Sequence, residues 1–397
     1  MPHFEPQNDS PPTAIDLFAG CGGATEGMMH AGFQVSAAWE IAAPAHYTYY
    51  LRHSEPNPFL TTYRDATEIS LQGVPDDLDL LFSGAPCQGV SSAGGTIDPD
   101  DPRNDLLFTT IDWVEATDPR LVIIENVVGL RDRHGDLHDA LVDELADAGD
   151  GYTVQTLALD AADYGVAQHR ERLFIIGVRN DQPQPTTWTP ARTHTGPQRR
   201  LGEDLPEYRT AADVLEELPD PLLPQRPHED PVHLSIDDGV PYRFETSDRW
   251  RVDPHSCGKP IERDGTDVWM PTNHVATDHA LETRQTLAEK PHGHSGTSTT
   301  DRRLQPEEPA PTMTVSSGTG PVHYQGATPG EGGDIEEVRR ITVREAARIQ
   351  SFDDAYTFAG NRQEQFEQVA NAVPPLLTLS VAGHFRQEVL ETQPAVA

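Results

Sequence analysis

The chain has 397 residues, of which 64 are Asp or Glu and 29 are Lys or Arg, so its formal net charge is −35 at pH 7. Its hydrophobic residues, 36% of the chain, are enough for a packed core and exclude wholesale disorder despite the charge. Three widely spaced cysteines exclude a disulfide framework, and no stretch has the roughly 18 apolar residues of a membrane span. We therefore expect a soluble, cytoplasmic, globular protein that is monomeric.

The basic residues are almost all arginine, because Lys259 and Lys290 are the lysines of the sequence. This composition predicts a protein of a halophile, since in molar salt a screening length of about 3 Å removes most self-repulsion. An ordinary acidic protein is the alternative. The acidity leaves nucleic acid open as a partner, because counterion release contributes little in molar salt and shape, hydrogen bonds and stacking remain.

Short apolar runs alternate with helical patterns from Thr13 to about Asn180. The predicted strands are Ala14–Phe18, Val35–Trp39, Leu78–Phe82, Leu121–Ile124 and Leu173–Val178, and the predicted helices are Ala24–Ala31, Ala45–Leu51, Asp105–Glu115 and Leu137–Ala148. The alternation predicts an α/β fold with a doubly wound, mostly parallel, Rossmann-like sheet. Ligands bind such sheets at the carboxyl ends of the strands.

Regular patterns are scarce between about Gln182 and Glu337, where a helix is predicted only at Thr210–Leu218. The remainder is either a disordered insertion or an irregular lobe that recognises a ligand. A regular pattern of apolar residues returns at Thr342–Gln350. The segment Phe366–Ala372 is predicted as a strand or turn before a last helix that packs onto the sheet. Seventeen histidines occur without a recurring ligand spacing, so we expect scattered surface side chains and no metal site.

The segment Asp16–Gly23 is predicted to run from a strand through a glycine turn into a helix. Glycine lets a ligand approach the backbone, and the helix N-terminus offers free N–H groups; a plain tight turn is the alternative. Glu40 closes the next strand, where a carboxylate could bind ribose hydroxyls, and Asp65 suits an adenine amino group. Taken singly, either acid could instead be a solvated surface charge.

Cys87 follows a predicted strand within Gly84–Gln88. A lone cysteine is usually a small buried hydrophobe, but the strand-end position and the turn made by Pro86 favour a nucleophile. The glycine-rich stretch Gly89–Gly95 could form a mobile lid over it.

Glu125 also follows a buried strand, where burial raises the pKa of a carboxyl group and suits it to proton donation. A helix cap or a salt bridge is the alternative. In the segment Gln168–Arg172, alternation along an extended chain sends Arg170 and Arg172 to one side, where two guanidinium groups could meet a carbonyl oxygen or a phosphate.

Taken together, these motifs resemble the DNA (cytosine-5) methyltransferases and stand in the order of that family. The matching segments are Asp16–Gly23, Glu40, Asp65, Gly84–Gln88, Glu125–Val127, Gln168–Arg172, Arg344–Phe352 and Asn371–Pro375. The resemblance covers residues 13 to 180 and 338 to 385, and the middle is similar to the family's variable target-recognition region. Ile41, Asp353 and Ala370 depart from the pattern, which in many members has an aromatic residue, a proline and a glycine there.

The resemblance implies S-adenosylmethionine as the cofactor. Phe18 would lie against the adenine, Glu40 would hold the ribose hydroxyls and Asp65 the adenine amino group. The implied cofactor-binding residues are Phe18, Ala19, Gly20, Cys21, Gly22, Gly23, Glu40, Ile41, Asp65, Ala66, Pro86, Leu106, Asn371 and Ala372.

It also implies methyl transfer to carbon 5 of a cytosine flipped out of duplex DNA. Cys87 would add as a thiolate to carbon 6, which makes carbon 5 nucleophilic, and Glu125 would hydrogen-bond or protonate ring nitrogen 3. The arginines would bind the exocyclic oxygen and hold Glu125 and the backbone in place, with Arg172 favoured on the base. The implied catalytic residues are Cys87, Gln88, Ser91, Glu125, Arg170 and Arg172.

The implied domains are a catalytic and cofactor-binding domain at 13–205, a target-recognition lobe at 206–360 that includes Arg344–Phe352, and a C-terminal segment at 361–397 that returns to the catalytic domain. Within the lobe, Thr272–His274, Arg302–Leu304 and Pro309–Thr314 are candidates for DNA-facing loops. A cognate restriction endonuclease is a candidate partner.

Two other functions stay open. The same chemistry could act on RNA, although the long variable region favours duplex DNA. A catalytically silent regulator that binds DNA or cofactor is the other alternative, and the intact Cys87, Glu125 and Arg170 argue against it.

Overall fold

The computed structural model describes residues 10–53, 61–63, 65–86, 105–196, 204–222, 258–263, 266–290, 292, 302–314, 320–328 and 332–391. Among these residues no helix is both long and apolar enough to span a membrane.

The main sheet has seven strands in the described part of the chain. They are β1 (Thr13–Leu17), β2 (Gln34–Glu40), β3 (Thr61–Tyr63), β4 (Leu80–Ser83), β5 (Leu121–Asn126), β6 (Tyr152–Asp160) and β7 (Glu171–Arg179), in the order β3-β2-β1-β4-β5-β7-β6. Strands β1 to β5 pair in parallel, and β7 runs antiparallel to both β5 and β6. The predicted α/β fold with a mostly parallel sheet is confirmed.

The helices of this half connect the strands: α1 (Gly23–His30), α2 (Ala43–His53), α3 (Asp105–Thr117), α4 (Gly129–Arg133) and α5 (Gly135–Asp147). The later elements are α6 (Ala211–Leu215), the hairpin strands β8 (Gly258–Arg263) and β9 (Thr266–Pro271), α7 (Leu281–Ala288), α8 (Val343–Ile349), α9 (Arg362–Asn371), α10 (Pro375–Phe385) and a π-helical turn at Arg386–Leu390.

The core lies on both faces of the sheet because alternate residues of each strand point to opposite sides. In β5, Leu121 and Ile123 belong to one apolar cluster, and Val122 and Ile124 belong to the other. The first cluster includes residues of α1 and α10, and the second includes residues of α3 and α5. The last helix therefore packs onto the sheet as predicted.

The order of the strands brings the predicted site residues to one edge of the sheet. Strands β2 and β3 lie on one side of β1, whereas β4 and β5 lie on its other side. The sheet therefore has a topological switch point beside β1, where the carboxyl ends of β1, β4 and β5 are neighbours. Strand β7 is antiparallel, so its amino end lies at this same edge, with Leu173 opposite Asn126 and Phe174 opposite Glu125. The register thus places the arginines before Leu173 beside the end of β5.

Several elements differ from the sequence-based predictions. Strand β3 was not predicted, and α7 lies at Leu281–Ala288, where no helix was predicted. Strand β6 was not predicted, although its partner β7 was. The strand or turn predicted at Phe366–Ala372 is wrong, since α9 starts at a capping box in which Asn361 and Glu364 bond to each other's backbone N–H. The helix predicted at Thr210–Leu218 is shorter, because Thr210 is its N-cap and α6 ends at Leu215.

Candidate active site

The glycine turn after β1 has a backbone that favours glycine. Gly20 and Gly22 have φ angles of 57° and 94°, in the left-handed region. A Cβ at Gly22 would also lie 2.7 Å from His53 Nε2 and 2.8 Å from the Tyr356 hydroxyl oxygen, whereas one at Gly20 would meet open space. The turn is packed on one side and open at Gly20. We call residues Gly20–Gly23 the glycine loop.

Glu40 ties the end of β2 to the glycine loop. Its Oε2 accepts a hydrogen bond from Gly20 N at 2.8 Å, and its Oε1 accepts one from Ala42 N at 2.6 Å. Each carboxylate oxygen keeps a second acceptor position. The side chain is therefore oriented by the backbone and still able to accept bonds from a diol.

The other residues predicted to hold a cofactor have varied exposure. Asp65 accepts bonds from Thr67 N at 2.9 Å and from Thr67 Oγ1 at 2.8 Å. Ala66 is buried and its carbonyl accepts a bond from Trp113 Nε1 at 2.7 Å. The half-buried residues are Phe18, Pro86 and Leu106; Ala19, Cys21 and Ala372 are buried; Ile41 and Asn371 are exposed.

Asp16 in β1 and Cys21 in the glycine loop are both buried. Asp16 Oδ2 accepts a bond from Thr25 Oγ1 at 2.6 Å, while Oδ1 has no hydrogen-bond partner in the described part of the chain. Burial raises the pKa of Asp16 to about 7, against the Thr25 hydrogen bonds. Burial also raises the pKa of the Cys21 thiol to about 12, so this sulfur stays protonated and does not serve as a nucleophile.

The structure brings Glu125 and Arg172 together. Arg172 Nε lies 3.0 Å from Glu125 Oε1, and Glu125 is 8% exposed. Burial raises the pKa of the Glu125 carboxyl group, and the charges of Arg172 and Arg170 oppose that rise without cancelling it. A carboxyl group in this state holds its proton at a higher pH than an exposed glutamate does.

Arg170 is 2% exposed and is held differently. Its Nη2 donates to the carbonyl oxygens of Ala370 and Ala372, each at 2.9 Å, which fixes the backbone on both sides of Asn371. Its Nε and Nη1 have no hydrogen-bond partner among the described residues. The paired arginines therefore divide their contacts: Arg172 meets Glu125, and Arg170 supports the predicted cofactor pocket.

Two positioning residues were missed from sequence. Asp160 Oδ1 accepts a bond from Arg170 N at 2.9 Å and Oδ2 lies 2.7 Å from His169 Nδ1, so this carboxylate fixes the entry to β7. Asp160 was missed because β6, which it ends, was not predicted. Asn126 Nδ2 donates to the Ala85 carbonyl oxygen at 3.2 Å and links the ends of β4 and β5. Its place directly after Glu125 was the available signal.

The predicted nucleophile Cys87 lies outside the described residues, as do Gln88, Ser91 and the stretch Gly89–Gly95. Pro86, the last described residue before Cys87, directly follows Ala85, whose carbonyl oxygen Asn126 holds.

Several residues proposed to face DNA are buried. Asn273, His274 and Arg303 are 2%, 1% and 0% exposed. The side chain of Asn273 bonds to the backbone of Phe358, and Arg303 Nη2 donates to the Ala327 carbonyl oxygen at 3.0 Å. These three side chains join segments of irregular backbone, so they are not the groups that face outward from the candidate DNA-facing loops.

The histidines are not all surface residues. His53, His274 and His323 are each no more than 2% exposed. His274 Nδ1 lies 2.9 Å from Thr342 Oγ1, and His323 Nε2 lies 3.6 Å from Glu345 Oε1. Within the described ranges no three His, Cys, Asp or Glu side chains come together as a metal site. The expected surface placement is wrong for these three residues.

The residues at the sheet edge fit an adenosine cofactor. Two acidic side chains follow adjacent strands, the glycine loop is open at Gly20, and a buried oxygen of Asp16 in β1 has no partner among the described residues. These groups supply acceptors for hydroxyl and amino groups next to a backbone that a ligand can approach closely.

Comparison with known proteins agrees with this geometry. A family model described as C-5 cytosine-specific DNA methylase matches residues 13–386. The Type II methyltransferase M.AgeI of Thalassovita gelatinovora is 31% identical over 93% of this chain and 97% of its own length. M.NgoPII of Neisseria gonorrhoeae, also a Type II methyltransferase, is 30% identical over 98% of this chain and 99% of its own length.

The fold agrees as well. An Escherichia coli prophage protein described as a DNA modification methyltransferase superposes with a TM-score of 0.67 at 23% identity, and the match covers 96% of this chain and 100% of that one. At this identity the likeness speaks to the fold. The family match, by contrast, extends over nearly the whole sequence. The chain belongs to the C-5 cytosine-specific DNA methylase family.

Proposed function

We propose that this chain transfers a methyl group from S-adenosylmethionine to carbon 5 of a flipped cytosine in duplex DNA, through a covalent adduct with Cys87. As a member of its family it is a DNA (cytosine-5-)-methyltransferase. S-adenosylmethionine supplies an electrophilic methyl group. The glycine loop and Glu40 would hold this cofactor, together with Asp65 and the other residues predicted for its pocket.

The chain's own groups would act on the base. The Cys87 thiolate bonds to carbon 6, which turns the ring into an enamine-like carbon nucleophile at carbon 5. Glu125 hydrogen-bonds or protonates ring nitrogen 3 and so takes up the charge that thiolate addition generates. Arg172 keeps the Glu125 carboxyl group in place and donates to the exocyclic oxygen. Loss of the proton from carbon 5 and expulsion of Cys87 restore the aromatic ring.

The observation that carries the proposal is the arrangement of Glu125. This carboxyl group is buried at the end of β5 and meets Arg172 at 3.0 Å. Its neighbour Asn126 holds the Ala85 carbonyl, two residues before Cys87. An acid with a raised pKa beside the chain segment that leads into a cysteine suits a thiol addition that needs protonation of the base.

The purified protein should transfer labelled methyl groups from S-adenosylmethionine to duplex DNA in molar KCl, with tRNA as the parallel substrate. Methylation of DNA with none of tRNA supports the proposal. Methylation of tRNA alone would assign the same chemistry to RNA, and binding without any transfer would favour a silent regulator.

We also infer that the protein works in concentrated salt. With a net charge of −35 it should lose structure and activity in dilute buffer and regain both in molar KCl, because screening removes the repulsion between carboxylates. Circular dichroism and methyl transfer measured across a KCl series test this. Equal structure and activity at both ends of the series would contradict it.

The division into a domain at 13–205, a recognition lobe at 206–360 and a returning segment at 361–397 is part of this proposal. A cognate restriction endonuclease is also part of this proposal. It is supported by the similarity of the chain to Type II methyltransferases along nearly their whole length. Sequencing of converted DNA from cells that express the protein would show which cytosines are protected and hence the site that such a partner would cut.

A further inference from the structure

A buried tyrosine supports the glycine loop from a distant part of the chain. The Tyr356 hydroxyl donates to the Cys21 carbonyl oxygen at 2.6 Å, across 335 residues of sequence. Tyr356 is 0% exposed. Its single hydroxyl proton is used in this bond, so His53 Nε2, at 3.0 Å, must be the donor to the tyrosine oxygen. Burial lowers the pKa of His53 to about 4, and the neutral ring can carry that proton.

The hydrogen bond from Tyr356 restrains a part of the glycine loop in which both neighbouring residues are glycine. Cys21 stands between Gly20 and Gly22, which both have positive φ angles. Glycine has access to many other backbone conformations, so the bond to the Cys21 carbonyl restricts how the adjoining peptide groups can rotate. The same hydroxyl and the His53 ring also close the space beside Gly22.

Tyr356 belongs to a segment that is pinned along its length, Asp353–Phe358, which we call the brace segment. The Arg344 guanidinium donates to the carbonyl oxygen of Asp353 at 2.7 Å and also to that of Tyr356. Asn273 Nδ2 donates to the Phe358 carbonyl oxygen at 2.9 Å, and Phe358 N donates to Asn273 Oδ1 at 3.0 Å. Asn273 lies in the turn after β9, so this turn sets the position of the brace segment.

The other side of the brace segment meets the first two helices. Arg52 Nη2 lies 2.6 Å from Glu26 Oε1 in α1 and 2.8 Å from Asp353 Oδ2. Helices α1 and α2 and the brace segment are thus joined on the side of the glycine loop.

We propose that Tyr356 is a positioning residue for the glycine loop, and that the brace segment makes the cofactor affinity of this loop depend on Asn273. The proposal rests on the function proposed above, in which the loop binds S-adenosylmethionine. Without the tyrosine bond, the free protein divides its population among several loop conformations. Its apparent affinity then falls in proportion to the fraction that remains competent to bind.

The first test is the binding of S-adenosylmethionine to the full chain, measured by isothermal titration calorimetry. Tyr356→Phe should bind about fivefold to tenfold more weakly than the unchanged protein, the size expected for one buried hydrogen bond. Its kcat at saturating cofactor should change by less than about twofold, because Tyr356 acts on ground-state binding and not on the reacting atoms.

A matched control separates positioning from general destabilisation. The Tyr152 hydroxyl is also buried and donates to the Pro119 carbonyl oxygen at 2.6 Å, away from the glycine loop. Tyr152→Phe should lose a comparable amount of thermal stability and keep its cofactor affinity. An equal loss of affinity in Tyr152→Phe would overturn the assignment.

Asn273→Gly gives an independent test that leaves Tyr356 in place. Glycine tolerates the φ angle of 60° at this position, and the change removes both bonds to Phe358. We expect cofactor binding to weaken by about twofold to fivefold, as loss of an indirect support implies. If the unchanged protein binds cofactor and both variants bind it as tightly as the unchanged protein does, the positioning role of the brace segment is refuted. If the unchanged protein binds none, the proposed cofactor role itself fails.

Discussion

Cys87→Ala should transfer no measurable methyl group to DNA and should still bind S-adenosylmethionine with unchanged affinity. The thiolate makes the bond that activates carbon 5, and alanine has no group that can replace it. Pro86 adjoins Cys87, but the glycine loop, which is predicted to hold the cofactor, follows β1, a different strand. Methyl transfer from labelled cofactor and calorimetric cofactor binding, measured on one preparation, check both halves of the expectation.

Cys257→Ala is the control, because it removes a thiol that no motif contains. It should retain the full rate. Near-normal turnover in Cys87→Ala would refute the nucleophile assignment.

Glu125→Gln should slow methyl transfer by a factor on the order of a hundred or more, the range typical of a lost general acid. Glutamine can still accept a hydrogen bond from Arg172, so the loss of rate reflects the missing acidic proton and not a change in packing. The measurement is single-turnover methyl transfer at saturating cofactor. Glu345→Gln is the matched control, since Glu345 is also buried and meets Arg339 Nη2 at 2.7 Å, and it should keep the rate of the unchanged protein.

The pH dependence of the rate should follow the same carboxyl group. Burial raises the pKa of Glu125, so the protonated form persists to higher pH than in an exposed glutamate and is lost as pH rises further. The rate of the unchanged protein should therefore fall on the alkaline side, and this fall should be absent in Glu125→Gln. Identical pH profiles for the two proteins would move the proton donor elsewhere.

Four of the five parallel strands, β1, β2, β4 and β5, were predictable because they are short apolar runs between glycine, proline and acidic residues, whereas β3 (Thr61–Tyr63) was not predicted. Strand β6 (Tyr152–Asp160) was missed because its buried, half-buried and exposed residues do not alternate regularly along the whole strand. That error concealed Asp160, which fixes the backbone of Arg170. One unrecognised strand thus hid one positioning residue of the site.

The prediction that two arginines act together was partly informative. Alternation predicted Arg170 and Arg172 on the same side of an extended chain, and Arg172 does meet Glu125. Alternation could not reveal that Arg170 would bond to the carbonyl oxygens of Ala370 and Ala372, since that contact joins residues 200 and 202 positions apart. Contacts of such separation depend on packing between distant elements.

The same reason explains the errors in the irregular region. Asn273 and Arg303 are polar residues in loop-like segments that were predicted as candidates for DNA-facing loops. A chain with little regular structure must satisfy its backbone groups with side chains, and these two residues do so from buried positions. A pattern of residue types does not distinguish a side chain that supports a loop from one that faces a ligand.

The central claim is that the sulfur of Cys87 bonds to a flipped cytosine during methyl transfer. A duplex that contains the methylated site, with 5-fluorocytosine in place of the target base, tests it directly, because fluorine cannot leave as the proton does. Incubated with S-adenosylmethionine, the protein should form a denaturant-resistant complex that peptide mass spectrometry maps to Cys87. Protein that methylates the normal duplex yet forms no such complex, or forms it at another residue, would contradict the claim.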